Sequence, residues 1–179
     1  MVRHLFLTCL IIWTCSDSLL ACSCAGTWTT KTAYDNSQNV IYGKVIDTTL
    51  VSLSQTMDQE KLVKFLGETC GSVTDFEMLY LPIIIQTKIL VLKNYKGLAI
   101  QDTIIIYTPR QSSTCGYQWF TEGSSHLIFD SNPNFIYQFV GVGNDFQIKN
   151  TLWTNNCTAT TAATEGLLKE LDSISNQDE

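Results

Sequence analysis

Short runs of apolar residues recur along most of the chain and predict β-strands, because they are rich in β-branched side chains and end at turn-forming residues. The run at 40–46 alternates between apolar and polar positions, and Gly43 within it is expected at a bulge or bend. The isoleucines at 83–85 are apolar on both faces, which is typical of a strand at a barrel closure. The predicted strands span residues 40–46, 79–92, 103–107, 126–129, 135–140 and 146–153.

Two segments depart from this strand pattern. Residues 48–71 carry apolar residues spaced among charges, which predicts a short helix or an excursion from the sheet. From about residue 172 the chain is expected to be a frayed acidic tail. After Cys157, apolar residues repeat at helical spacing and predict an amphipathic helix, and they are Leu167, Leu168, Leu171 and Ile174.

Five or six short strands followed by a helix predict a mainly β fold. We interpret it as a five-stranded Greek-key barrel of the OB type with a C-terminal helix. A β-sandwich is the rival architecture, but it would need more regularly spaced strands than the interruption at 48–71 allows. No internal repeat or second domain is evident in the sequence.

The composition fits one packed domain, since 45% of the 179 residues are hydrophobic and only 16% are charged. The formal net charge is −6, and the sequence contains no cluster of lysine and arginine. Nucleic-acid affinity rests mainly on cationic neutralisation of phosphates, so this charge pattern argues against a nucleic-acid partner.

The first twenty-one residues have the order of a secretory signal peptide, with Arg3 and His4, then the apolar run 5–13, then a cut site after Ala21. The apolar run is well short of the ~20 residues that span a bilayer, so no membrane span is predicted. We therefore expect a secreted protein of residues 22–179. The alternative is a bacterial lipobox at 19–22, in which Cys22 would be acylated.

Seven cysteines are present, and Cys9 and Cys15 would leave with the signal peptide, so in an oxidising compartment the remaining five predict two disulfides and one spare thiol. A ring between cysteines two positions apart is strained, so those at 22 and 24 are each expected to pair with a distant partner. Spacing alone does not establish which cysteine pairs with which. The four bridged cysteines are predicted to be Cys22, Cys24, Cys115 and Cys157, and Cys70 is left over.

Cleavage after Ala21 would leave a free α-amino group on Cys22. Such a group has a pKa near ~7.7–8.0, so an appreciable neutral fraction exists at pH 7. Together with the carbonyl oxygen of the same residue it forms a five-membered chelate for a metal ion. If Cys22 and Cys24 are both in disulfides, the terminus becomes a rigid wedge that carries two metal-ligating atoms.

An ordered set of short motifs resembles the inhibitory domain of tissue inhibitors of metalloproteinases, within the broader netrin-like modules. Single elements such as Cys-x-Cys are weak, but their combination at a signal-cleavage site is specific. The resemblance covers the chain from Cys22 to about Leu171. The motifs are Cys22-Ser23-Cys24, Tyr95-Lys96-Gly97, Tyr107-Thr108-Pro109, Ser113-Thr114-Cys115-Gly116-Tyr117 and Leu127-Ile128-Phe129.

The resemblance implies an OB-like barrel that inhibits zinc endopeptidases of the matrix metalloproteinase type by occupying the active site. The Cys22 amine and carbonyl would chelate the enzyme's zinc and displace its water, and Ser23 would enter the specificity pocket beside the metal. The protein would have no cofactor and no catalytic residue of its own, and it would act as a monomer. The residues implied to contact the protease are Cys22, Ser23, Cys24, Ser112, Ser113 and Thr114.

The main alternative is a secreted netrin-like module that docks on a matrix or signalling protein without protease inhibition. In that case Cys22 and Cys24 are only structural, and the serines and threonine at 112–114 are ordinary loop residues. An enzyme is disfavoured, because His126 is the only histidine in the mature chain and the sequence has no His-Glu-x-x-His segment. A cysteine hydrolase that pairs His126 with Cys70 has no local support.

Several further residues near the cysteines carry their own predictions. Trp119 and Phe120 follow the Cys115 loop and are predicted to be barrel core, with exposed contact aromatics as the alternative. Residues 156–158, Asn-Cys-Thr, match the N-glycosylation pattern. His126 is expected to be packed within a strand or solvated.

Overall fold

The structure is a computed structural model, and it describes residues 28–68, 77, 79–81, 83–97, 101–111, 114–132 and 134–177. Within these ranges no helix is long and apolar enough to cross a membrane. The predicted signal peptide lies outside the described residues, and so do Cys22, Ser23, Cys24, Cys70, Ser112 and Ser113.

The described chain is mainly β, as predicted. Two short 3-10 helices, Leu53–Thr56 and Asn144–Phe146, join longer elements. The strands are β1 (Val40–Val51), β2 (Ile84–Lys96), β3 (Thr103–Pro109), β4 (Ser125–Phe129), β5 (Thr151–Trp153) and β6 (Thr161–Ala162). The helices are α1 (Thr30–Asn36), α2 (Gln59–Glu68), α3 (Asn134–Phe139) and α4 (Glu165–Ser175).

The strands form one mixed sheet of six strands in the order β5-β3-β2-β1-β4-β6. Neighbouring strands are antiparallel except β3 and β5, which are parallel. The prediction of five strands is wrong, because Thr161–Ala162 adds a sixth, two-residue strand on β4 that is too short to show a pattern in the sequence. Among the described residues no ladder joins β5 to β4, so the sheet is open and the predicted closed barrel is not confirmed.

The long strand β1 organises the sheet, because it pairs with β2 along its whole length and with β4 through Val40 to Lys44. The predicted bulge at Gly43 is confirmed by a shift in register between Tyr42 and Gly43. A Cβ atom at this glycine would lie 2.3 Å from Ile89 Cγ2 and 2.8 Å from the carbonyl oxygen of Leu90. Only glycine allows the two backbones to approach so closely.

Three predicted strands are wrong or misplaced. The strand predicted at 135–140 is instead the helix α3 (Asn134–Phe139), and Tyr137 within it and Val140 just after it, three positions apart, both enter the core. The strand predicted at 146–153 is reduced to Thr151–Trp153, and the strand predicted at 79–92 begins only at Ile84. In each case long-range packing overrides the local preference of aromatic and β-branched residues for strands.

The C-terminal helix α4 confirms the prediction from its apolar spacing, and Leu171 and Ile174 are buried against α1 and the sheet. The tail predicted from about 172 is wrong for its first residues, because the helix continues to Ser175. Asp172 lies within the helix and forms an ion pair with Lys93 of β2, with Nζ and Oδ1 2.6 Å apart. The helix therefore closes one side of the sheet.

Candidate functional site

The loop after β3 folds back on the end of that strand and carries the predicted contact residue Thr114. The carbonyl oxygen of Gln111 accepts three hydrogen bonds, from Thr114 N–H at 3.1 Å, Thr114 Oγ1 at 2.8 Å and Gly116 N–H at 3.0 Å. On the returning side, Tyr117 N–H donates to Thr108 Oγ1 at 2.7 Å. These bonds hold the returning chain against the strand.

The return of this loop depends on two unusual backbone positions. Cys115 has a φ of 59°, in the left-handed region that few non-glycine residues adopt. A Cβ atom at Gly116 would lie 1.8 Å from the carbonyl oxygen of Pro109, so no other residue fits there without moving the backbone. The sequence Cys115-Gly116 thus builds a tight reversal that keeps Thr114 and Cys115 next to the strand end.

A second turn, between β5 and β6, carries Cys157 to the same place. Asn155 Oδ1 accepts hydrogen bonds from Cys157 N–H at 2.7 Å and from Thr158 N–H at 3.1 Å, which is the pattern of an Asx turn. Asn156 N–H then donates to the carbonyl oxygen of Cys115 at 2.7 Å. The two cysteine turns are therefore joined directly through their backbones.

Buried threonine hydroxyls fasten the Cys157 turn to the sheet. Thr154 Oγ1 lies 2.6 Å from Thr160 Oγ1 and 2.9 Å from Thr158 Oγ1. Thr160 Oγ1 also accepts a hydrogen bond from Phe129 N–H at 3.0 Å, at the end of β4. A network in which every member is satisfied favours one conformation of the turn.

Two disulfides lie side by side where the turns meet. Cys115 and Cys157 are both disulfide-bonded. Their Sγ atoms are 3.7 Å apart, whereas bonded sulfurs are about 2.05 Å apart, so the two cysteines are not bonded to each other. Each is therefore bonded to a cysteine outside the described residues. The identity of those partners, expected to be Cys22 and Cys24, stays a prediction.

The first described residue, Trp28, lies at this same corner of the molecule. It lines a small cleft together with Cys157 and Thr158 and with residues of α1 and its C-terminal end. The chain that leads back from Trp28 toward residues 22–24 therefore starts beside the Cys157 turn.

No protein-family model matches this chain, and no curated protein sequence is similar to it.

Of the predicted contact residues, the structure describes only Thr114, and it lies on the loop next to the bridged Cys115. Cys157, distant in sequence, lies next to that loop, with its Sγ 3.7 Å from that of Cys115. Cys22, Ser23, Cys24, Ser112 and Ser113 lie outside the described residues. In the part of the chain that is described, no group of three or more His, Cys, Asp or Glu residues could hold a metal ion.

His126 is packed in β4 and only 2% exposed. Its Nδ1 lies 3.0 Å from the Tyr117 hydroxyl, and its Nε2 lies 2.7 Å from Ser124 Oγ. Burial lowers the pKa of His126, and burial raises the pKa of Tyr117 to about 12. Both side chains are thus held uncharged at neutral pH, as structural supports of the segment that follows the Cys115 loop.

The two aromatic residues after the loop behave differently. Phe120 is buried, as predicted, with its ring 4.8 Å from that of Tyr117. The prediction of a core position is wrong for Trp119, which is 71% exposed. No local pattern could have separated these neighbours, because residues 116–121 form no regular element and long-range contacts decide which ring faces the core.

Proposed function

We propose that this protein is a secreted inhibitor of zinc metalloendopeptidases that acts through a free N-terminal Cys22. The observation that carries the proposal is the pair of disulfide-bonded residues Cys115 and Cys157, with sulfurs 3.7 Å apart, beside the Thr114 loop. Two bridges at one point can clamp a short segment on both sides of a residue. Bridges to Cys22 and Cys24 would do this to Ser23.

The path of the chain supports this arrangement. Cys24 precedes Trp28 by four residues, a span of at most ~14 Å when extended, and Trp28 lies beside Cys157 and Thr158. A bridge between the N-terminal segment and the Cys157 turn therefore needs no long excursion of the backbone.

The surroundings of the bridges support a rigid contact surface. The Cys115 and Cys157 turns are tied together by Asn156 N–H and to the sheet by the threonine hydroxyls. An inhibitor whose contact residues are ordered before binding loses little conformational entropy on association. A rigid contact surface also suits an inhibitor whose own peptide bonds the protease does not cleave.

We further propose that the sheet is a partly open barrel of the OB type. In the strand order β5-β3-β2-β1-β4, closure requires that β5 approach β4. Ser131 N–H, just after β4, donates to the carbonyl oxygen of Trp153 in β5 at 2.7 Å. Thr154 Oγ1 donates to the carbonyl oxygen of Phe129 at 3.1 Å. These contacts across the open seam support a barrel that is closed at one end.

In the proposed complex, the Cys22 amine and carbonyl oxygen bind the zinc of the enzyme in place of its water. Ser23 enters the specificity pocket, and Ser112, Ser113 and Thr114 occupy the cleft on the other side of the metal. The zinc belongs to the partner, and the inhibitor acts as a monomer. Binding is expected to weaken below the α-amino pKa, near ~7.7–8.0, because a protonated amine is no ligand.

One added residue tests this proposal most directly. With an extra alanine before Cys22, the nitrogen of Cys22 becomes an amide and loses its ability to bind zinc. We expect inhibition of a sensitive secreted zinc endopeptidase to fall by at least about 100-fold, since removal of a metal-ligand contact costs several kcal/mol. The melting temperature should not change. Inhibition constants and melting curves of both proteins are the measurements.

A matched control carries the extra alanine after Glu179 instead and should inhibit like the wild type. N-terminal sequencing of the secreted protein must first show that it begins at Cys22. If the correctly processed wild type leaves a broad panel of zinc endopeptidases active at micromolar concentration, the inhibitor proposal is wrong. Binding to a matrix or signalling protein that tolerates the added alanine would instead support the netrin-like module.

A further inference from the structure

Three large exposed side chains belong to segments that meet at the start of the Thr114 loop. Trp119 is 71% exposed and Leu81 is 49% exposed. Arg110 is also exposed, and it is the only arginine among the described residues. Tryptophan and arginine are enriched among the residues that dominate binding energy in interfaces.

The backbone of Arg110 places these three residues together. Its N–H donates to the carbonyl oxygen of Ile83 at 2.8 Å, and its carbonyl oxygen accepts a hydrogen bond from Gln118 Nε2. Leu81 is joined to Ile83 by a further hydrogen bond, from Ile83 N–H to the Leu81 carbonyl oxygen at 2.9 Å. Trp119 follows Gln118 directly. These hydrogen bonds thus bring the segments that carry Leu81 and Trp119 next to Arg110.

Trp119 is held in place although it is exposed. The next residue, Phe120, is buried against Tyr117 and His126, with ring centroids 4.8 Å and 5.0 Å apart. The preceding residue, Gln118, is bonded to Arg110. A large aromatic ring on an anchored backbone loses little entropy when a partner covers it, and it offers about 150–250 Å² of surface to bury.

The size of a stable interface determines how far the proposed enzyme would extend beyond the Thr114 loop. A specific complex buries about 800 Å² on each partner, through roughly 20–30 residues a side. The proposed zinc-binding segment and the 112–114 segment comprise far fewer residues. An enzyme seated on Thr114 must therefore extend over neighbouring residues, and Arg110 begins the same loop.

We propose that Leu81, Arg110 and Trp119 form a second contact surface for the zinc endopeptidase, on the rim of the enzyme outside its zinc cleft. Trp119 is the main anchor and inserts between apolar side chains of the rim, while Arg110 faces an acidic group there. This inference rests on the proposed function and deepens it. The surface adds affinity and selects among enzymes that share the same zinc site but differ at the rim.

The test compares inhibition constants and dissociation rates of single variants against the catalytic domain of a zinc endopeptidase that the wild type inhibits. We expect Trp119→Ala to weaken inhibition about 10- to 100-fold and Leu81→Ala about 3- to 10-fold, mainly through faster dissociation. Trp119→Phe should recover most of the loss. Val63→Ala is the matched control, because Val63 is 70% exposed on α2, and it should remain within about twofold of wild type.

The outcomes separate this inference from the proposed function. If the wild type inhibits and Trp119→Ala matches it against every enzyme of the panel, the second surface does not exist, although zinc chelation stands. If the wild type inhibits nothing, the proposed function fails first. Melting curves exclude a folding defect, since Trp119→Ala should melt with the wild type. If it melts lower, Trp119→Gln, measured at a temperature where it is folded, gives the same comparison.

Discussion

Two regions of the molecule are held together in different ways. The packed region is a cluster of buried apolar residues, and the bridged region comprises the Cys115 loop at 108–118 and the Cys157 turn at 154–160. The regions meet at consecutive residues, since Trp153 belongs to the first and Thr154 to the second. The packed region contains Val51, Leu53, Met57, Leu62, Leu79, Ile84, Tyr107, Tyr137, Val140, Val142 and Trp153.

The comparison shows that in this fold one set of interactions stabilises the domain and another positions the loop residues. Burial of apolar area is strong and non-directional, so the packed region stabilises the domain without placing any one atom accurately. Hydrogen bonds and disulfides have narrow geometry, so the bridged region places Thr114 and Cys115 accurately. Changes in the packed region should therefore affect mainly stability, and changes in the bridged region should also affect inhibition.

The largest expected effect is in the packed region. Trp153 is 2% exposed, with its ring 5.4 Å from that of Tyr107 and 5.6 Å from that of Tyr137. Trp153→Ala removes this packing and should lower the free energy of unfolding by about 3–5 kcal/mol. Chemical denaturation monitored by circular dichroism measures the change. The exposed Trp119→Ala is the control and should change stability by less than about 0.5 kcal/mol. Equal losses for both tryptophans would contradict the role of the packed region in stability.

A smaller loss of stability is expected in the bridged region. Thr160→Val keeps the shape of the side chain but removes its bonds to Phe129 N–H and to Thr154. A buried donor left unpaired costs about 1–3 kcal/mol. We expect a lower melting temperature together with weaker inhibition, because the Cys157 turn is no longer fastened to the sheet. Thr49→Val, at an exposed position of β1, should change neither quantity. A variant that loses stability while it inhibits like the wild type would show that this network does not position the contact loop.

The smallest expected effect is a dependence on pH from His126, which contacts Tyr117 of the bridged region. Burial lowers its pKa in the folded state below the ordinary value of 6.5. The unfolded chain therefore binds the proton first, so stability is complete above pH 6.5 and falls as pH drops from there toward the folded-state pKa. The slope is at most about 1.4 kcal/mol per pH unit. Denaturation at pH 7.5 and pH 5.5 measures it, and His126→Gln should flatten the profile. A wild type equally stable at both values would contradict a buried neutral histidine.

Elements with strong local patterns were predicted correctly from the sequence. The helix at Leu167 to Ile174 and the strand at 126–129 are found close to where their periodicity places them. The bulge predicted at Gly43 is also found, and this position needs glycine because no side chain fits there. In contrast, α3 carries aromatic and β-branched residues that favour strands, and it is a helix because Tyr137 packs in the core with its hydroxyl bonded to the carbonyl oxygen of Thr56 at 3.0 Å. That partner is distant in sequence, so no window of residues could have revealed it.

The candidate site was predicted only in part for the same reason. Cys115 and Cys157 were predicted to be bridged, and both are disulfide-bonded, but the cysteines that they pair with stay a prediction because spacing alone does not define the pairs. The exposure of Trp119 beside a buried Phe120 was not predictable, because it depends on the rings of Tyr117 and His126.

Residue chemistry and local periodicity were sufficient to predict the β-rich class, the C-terminal helix and the bridging of Cys115 and Cys157, because these properties depend on residue type and on neighbours in the sequence. Only the tertiary structure decided the 3.7 Å distance between the Sγ atoms of Cys115 and Cys157, the open sheet of six strands and the exposure of Trp119. The physical reason is that distances between residues far apart in sequence depend on the packing of all the elements between them, and no local preference encodes that sum.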